Sequence, residues 1–403
     1  MKTLALGAIL ATLGAVPVHA AEAGHWVTAW ASAQVASSGK NALASEDAAD
    51  ITLRQVVRVT AGGARIRVHL SNVFGTEPLV IGRAGVAGTA QGDRSGFIAG
   101  RSRPLTFGGA EAVTIAPGAE AVSDPVDLPV AAFDDLSVSL WQARTPQVPT
   151  GHVASHATSF VVHGDHVADA TLSAPKAVEH WYEISGVDVE GPQGAIAVLG
   201  DSITDGSGMV ANSNARWPDF LARRLHDTGS RLSVINLGIG GNRVLHDGTG
   251  PRALARFDRD ILDRDGVRFV VIFEGVNDLG SATREHPIDA EAHAQLVVDL
   301  EAGYVELAAR ARARGLKVIG ATIAPFAGSP IYHPDAANEA DRQAVNAWIR
   351  APGHFDGVID FDRVLAAPAA PDHLRAEYDS GDHLHPAPGY PAMAGAIDLD
   401  LFR

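Results

Sequence analysis

Hydrophobic positions follow two different rhythms along this chain, and the change comes near residue 190. Before it, apolar residues alternate with polar ones in short runs: Leu53, Val57 and Val59 fall at near-alternate positions, and Ile66, Val68 and Leu70 interleave with Arg65, Arg67 and His69. The stretch Ala61-Gly62-Gly63-Ala64 between these runs reads as a turn, so the pattern predicts a hairpin. Further short runs at Leu79–Ile81, Val113–Ile115, Ser137–Trp141 and Ser159–Val162 are each bounded by Gly, Pro or Asp. Many short strands with frequent turns predict an all-β sandwich or jelly roll over residues 21–188. After Gly191-Pro192-Gln193-Gly194, apolar runs become continuous at Ala195–Leu199, Leu232–Leu237, Val267–Phe273, Lys317–Ile323 and Val358–Phe361. Strands buried on both faces read this way, so residues 189–403 are expected to form an α/β domain around a parallel sheet. Helical spacing between the runs agrees. Trp217, Phe220, Leu221 and Leu225 make one stripe with Pro218 in the first turn; Leu296, Leu300, Tyr304, Leu307 and Ala311 make another, with Gly315 placed to end it.

The first twenty residues change the picture of compartment. Lys2, the apolar stretch Leu4–Val16 and Val18-His19-Ala20 form the pattern of a secretory signal peptide, which predicts cleavage near Ala20 and an exported, periplasmic or extracellular protein. That run is too short to span a bilayer, and no later one approaches the ~20 apolar residues a spanning helix needs. The chain has no cysteine, which removes thiol nucleophiles and thiolate metal sites, while 403 residues suffice to bury a large core without disulfides. A formal net charge of -15 disfavours nucleic acid and anionic membranes as partners.

In an open parallel sheet, ligands bind beyond the carboxyl ends of the strands. The first strand ends in Gly200-Asp201-Ser202-Ile203-Thr204-Asp205-Gly206, the second in Asn236-Leu237-Gly238-Ile239-Gly240-Gly241-Asn242, and the third in Glu274-Gly275-Val276-Asn277-Asp278. Beyond the last strand comes Gly381-Asp382-His383-Leu384-His385-Pro386. A hydroxyl, an imidazole with a carboxylate three residues before it, and amide donors thus meet on one rim. Acyl transfer needs that set: a base to deprotonate the hydroxyl, an acid to hold the base's tautomer, and donors preset for the oxyanion. The duller readings explain less. Ser202 as a helix cap leaves the other turns idle, and so does a metal site at Asp379, Asp382, His383 and His385. A dinucleotide loop fails because its third glycine would fall at Arg243.

Together these four segments resemble the signature blocks of the SGNH, or GDSL-type, hydrolase family, with Ile203 in place of the usual leucine. The resemblance implies a three-layer α/β catalytic domain from about Gly194 onward and a serine esterase working through an acyl-enzyme. It implies Ser202 as nucleophile with Asp382 and His385, and Ser202, Gly241 and Asn277 as oxyanion donors, although Gly238 and Gly240 compete with Gly241 for that role. It implies neither metal nor organic cofactor. An added β domain resembles two-domain carbohydrate esterases, so small acyl (acetyl) groups on carbohydrates are the expected substrate. Short-chain lipid or aryl esters are the alternative, and a glycan-binding protein with a secondary or inactive hydrolase domain is a third. Phe326 and Tyr332 are candidate substrate contacts, and Arg243–Asp247 is a candidate lid.

Overall fold

The computed structural model describes residues 25–191 and 194–403; the expected leader and Pro192-Gln193 lie outside them. The N-terminal half is built on two large antiparallel sheets, with a small sheet of Trp181–Tyr182, Thr150–His152 and Val35–Ala36 and a two-stranded one of Leu79–Ile81 and Val113–Ile115 beside them. One large sheet orders the strands Trp26–Ala31, Ile184–Glu190, Gly63–Ser71 and Val126–Val130, with Glu120–Val122 also on Gly63–Ser71. The other runs Lys176–Val178, Ser159–His163, Ala49–Arg58, Asp135–Arg144, Arg83–Thr89 and Phe97–Leu105. Alternation decides what each sheet buries: Leu136, Val138 and Leu140 of one meet Ile66, Val68, Leu70, Val187 and Val189 of the other in a single core.

The expected hairpin is not one. Its two strands form as read, but Ala49–Arg58 and Gly63–Ser71 belong to different sheets. The backbone hydrogen bonds of the connection explain this, because Val59 donates to Asp134 O in the six-stranded sheet and Thr60 donates to Ala29 O in the other. The link is an arch across the sandwich. A Cβ on Gly62 would come 2.7 Å from Val130 O, so only glycine lets the arch pass so close.

The C-terminal half holds a five-stranded parallel sheet ordered Ser233–Gly238, Ala195–Gly200, Val267–Phe273, Lys317–Ala321 and Gly357–Ile359. The period of two along a strand splits its residues between two layers. Ala197, Leu199, Val270 and Ile272 pack beneath the helices Ala290–Ala313 and Ala336–Arg350, while Ile196, Val198, Phe269 and Val271 pack beneath Trp217–Asp227 and Tyr390–Ala396. The last strand stops at Ile359, short of the expected Phe361. Asp360 turns the chain by accepting from Arg363 N and so starts the helix Phe361–Leu365. The halves meet along Ser233–Gly238: Ser233 Oγ donates to Thr28 O at 2.7 Å, and Thr60 Oγ1 both donates to Val234 O and accepts from Val234 N, each at 3.0 Å.

Candidate active site

Strand Ala195–Gly200 runs into Asp201, whose extended backbone and side chain, accepting from Ile203 N at 2.9 Å, start the four-residue helix Ser202–Asp205. This helical turn lies down tightly between two strand ends. A Cβ on Gly200 would come 2.2 Å from Thr204 Oγ1 and one on Gly238 2.5 Å from Asp205 N, which is why glycine closes both strands. Ser202, the first residue of the turn, is 6% exposed, so its hydroxyl sits at the floor of the rim.

His385 reaches it from the C-terminal loop. Its Nε2 lies 2.8 Å from Ser202 Oγ, and its Nδ1 lies 2.6 Å from Asp382 Oδ2. The other oxygen of Asp382 accepts from the backbone amides of His385 (2.9 Å) and Leu384 (3.1 Å). A carboxylate accepts only, so Nδ1 carries the hydrogen and Nε2 presents its lone pair to the serine. Burial works against the charge on Asp382, but the bonds from the His385 ring and amide outweigh it and hold the carboxyl below its ordinary range. Asp379 does not join this group. It pairs with the His383 ring at 2.5 Å and accepts from the amides of Gly381 and His383, so each acid in the loop has its own imidazole.

The expected oxyanion donors stand at the ends of the neighbouring strands. Gly238 is excluded because its amide is taken by Asn236 Oδ1 at 2.9 Å. Gly241 has φ +74, which favours glycine, and a Cβ there would lie 3.1 Å from Thr249 Oγ1. Asn277 opens the helix Val276–Thr283 and is 2% exposed. One hydrogen of its amide goes to Asn242 O at 2.8 Å, and Tyr332 OH donates to its Oδ1 at 2.5 Å. Tyr332 therefore fixes which way the amide faces. Phe326 is 1% exposed and packs edge-on against the Tyr332 ring. Both aromatics are buried in the core cluster beside the third strand end.

Two supports stood without an assigned role in the sequence, Arg256 outside every block and Asp278 at the end of the third. Arg256, fully buried, donates to Gly200 O (3.0 Å), Leu237 O (2.7 Å) and Asn242 Oδ1 (2.9 Å), tying the first two strand ends to the glycine turn. Its charge faces Asp260 and Glu274. Asp278 accepts from the amides of Val244 and Leu245 at 2.8 and 3.0 Å, which pins the root of the segment expected to be a lid. Burial pushes Asp278 up to about 6 and Asp201 up to about 7.

Residues 198–389 match the GDSL-like Lipase/Acylhydrolase family. Among solved structures, a GDSL-like lipase from Bacteroides thetaiotaomicron VPI-5482 is 21% identical, covering 52% of this chain and 87% of its own at a TM-score of 0.39. An acetyl xylan esterase, AlAXEase, is 22% identical, covering 50% of this chain and 96% of its own, also at 0.39. No curated protein matches the chain.

Proposed function

We propose that this chain, whose residues 198–389 match the GDSL-like Lipase/Acylhydrolase family, is a carboxylic ester hydrolase with Ser202 as its nucleophile and that it removes small acyl groups from carbohydrates. One observation carries the assignment of residues: the unbroken line from Asp382 through His385 to Ser202 Oγ, at 2.6 and 2.8 Å. In this reading His385 takes the Ser202 proton as Oγ attacks the ester carbonyl. The amides of Ser202, Gly241 and Asn277 receive the oxyanion, and His385 returns the proton to the departing alcohol. Water then attacks the acyl-enzyme by the same route, and the acid leaves.

The groove beside Gly241 is the candidate place for the alcohol part of the ester. It holds about 450 Å³ between the N-terminal half and the loop 247–251, with Val35, Phe74, Val153 and Pro251 on its apolar side and Ser38, Asn41, Asp247 and Thr249 on its polar side. An aromatic face beside hydroxyls, an amide and a carboxylate has the partners a sugar ring needs, and the aliphatic residues have equal room for a short alkyl chain, so acyl-chain profiling decides between them. The proposal includes export, supported by the first twenty residues alone, which N-terminal sequencing of secreted protein checks.

The deciding experiment combines acetate release from a panel of acetylated polysaccharides with labelling by a serine-directed organophosphonate. The expected result is release, an adduct on Ser202, and loss of both in Ser202→Ala. An adduct elsewhere sinks the residue assignment. Activity that grows with acyl chain length on synthetic esters replaces the carbohydrate reading with a lipolytic one.

A further inference from the structure

The helical turn that Ser202 opens ends in Asp205, and the partner of Asp205 comes from the other half of the molecule. His152, at the end of strand Thr150–His152, lies with Nε2 2.9 Å from Asp205 Oδ1 and Nδ1 2.8 Å from Ala33 O. Each side chain is 5% exposed. A carbonyl and a carboxylate both accept, so the two contacts together require hydrogens on both ring nitrogens unless the carboxyl itself holds one. Either way the pair is electrically neutral. Burial disfavours the charged ring, but Asp205 outweighs it and raises the pKa of His152.

The second carboxylate oxygen, Asp205 Oδ2, is buried and has no hydrogen-bond partner among the described residues. A Cβ built on Gly240 would lie 4.0 Å from that oxygen and 4.0 Å from Ser202 Cβ, so the carboxylate faces the glycine turn beside the serine. A bare negative charge there would oppose an oxyanion forming on the substrate. The nearby cationic groups are committed elsewhere. Arg216 spends Nε on the backbone oxygen of Asp205, Nη2 on Ser155 O and Nη1 on Asp219. His156 has a buried Nε2 without a partner, and burial depresses its pKa, which keeps the ring neutral.

We propose that His152 is a positioning residue for the reaction: the β half supplies the proton that cancels Asp205 beneath the serine turn, so that hydrolysis depends on the two halves being docked. The inference rests on the reading of Ser202 as nucleophile. Four full-length variants test it on a chromogenic acetyl ester: His152→Gln, Asp205→Asn, the double variant, and Ser202→Ala. A unit charge several ångströms from the reacting carbonyl, in surroundings of effective dielectric about 20, slows the step by roughly ten- to a hundredfold. His152→Gln should therefore lose kcat on that scale with KM little changed. The double variant, which has no charge left to cancel, should recover most of the loss. A double variant as slow as His152→Gln, or a His152→Gln at full kcat, overturns the inference. Hydrolysis surviving in Ser202→Ala overturns the underlying reading instead. Should His152→Gln fail to fold, the comparison of Asp205→Asn with the double variant decides: equal kcat supports the inference, and a further tenfold loss in the double variant defeats it.

Discussion

Both halves of the molecule bury charged and polar side chains, but they use them differently. In the β half, Arg54 is fully buried and spends its guanidinium on Ser139 Oγ and the carbonyls of Ser95, His166 and Asp169, stitching loops over a sheet face. In the α/β half, Arg256 is equally buried, yet its bonds run to the ends of two strands and the glycine turn after the second. Strand direction accounts for the difference. Antiparallel neighbours finish at opposite ends and their turns satisfy each other, whereas parallel strands all finish on one rim, where loop amides and side chains converge. Chemistry collects where backbone donors are left over.

Away from the seam where His152 meets Asp205, this contrast predicts that substitutions on the α/β rim act mainly on rate and that a buried acid of the β half acts on stability alone. The largest should come from Asp382→Asn, which leaves the geometry but reverses the His385 tautomer; kcat is expected to fall by about 10⁴ in steady-state assays with the melting curve nearly unmoved. Asn277→Ala removes one of the proposed oxyanion donors and should lower kcat about 10²- to 10³-fold with KM little changed. Tyr332→Phe frees the Asn277 amide to turn and strips its buried oxygen of a donor, so a loss of roughly 1–3 kcal/mol in denaturant unfolding should accompany a smaller drop in kcat. An unchanged kcat would mean that Asn277 is oriented by Asn242 alone.

Glu183→Gln in the β half should leave kcat alone and change only stability. Burial raises the Glu183 carboxyl from 4.5 to about 8, and it stands beside the amide of Gln142. Folding keeps this acid protonated while the unfolded chain releases its proton. Its contribution to stability should thus be greatest below pH 4.5, decline by about 1.4 kcal/mol for each step of one in pH on the way toward 8, and level off beyond. The glutamine variant should flatten that slope in urea titrations across the range. A slope that persists in Glu183→Gln would assign it to a different titrating group.

The parallel sheet was legible in the sequence because strands buried on both faces leave continuous apolar runs, and the strand ends could be read directly. Of the sandwich, Trp26–Ala31, Arg83–Thr89, Phe97–Leu105, Val126–Val130 and Ile184–Glu190 did not stand out, but the alternating strands Ala49–Arg58, Gly63–Ser71, Asp135–Arg144 and Ser159–His163 were equally legible. Their pairing was not, since periodicity says which face a residue takes but not which strand lies beside it; the arch at 59–62 shows the cost. Phe326 and Tyr332 were legible as aromatics near the site, yet nothing in the sequence says whether a ring points into a groove or into the core beneath. His152 stands 53 positions from Asp205, in a segment without a motif. Its one sequence trace is an acid on the turn after Ser202, which demands a partner if buried and does not say where to find it.

The seam formed by Thr28, Thr60, Ser233 and Val234 has a consequence for solubility. Ser233–Gly238 is the outermost strand of the parallel sheet, so without the sandwich its backbone would stand open as a template for another chain. The Thr60 hydroxyl, bonding Val234 on both its amide and carbonyl, and the strand Trp26–Ala31 close off that template. A hydrolase half cut free of its neighbour would then meet its own copies edge to edge, and its first failure would be precipitation.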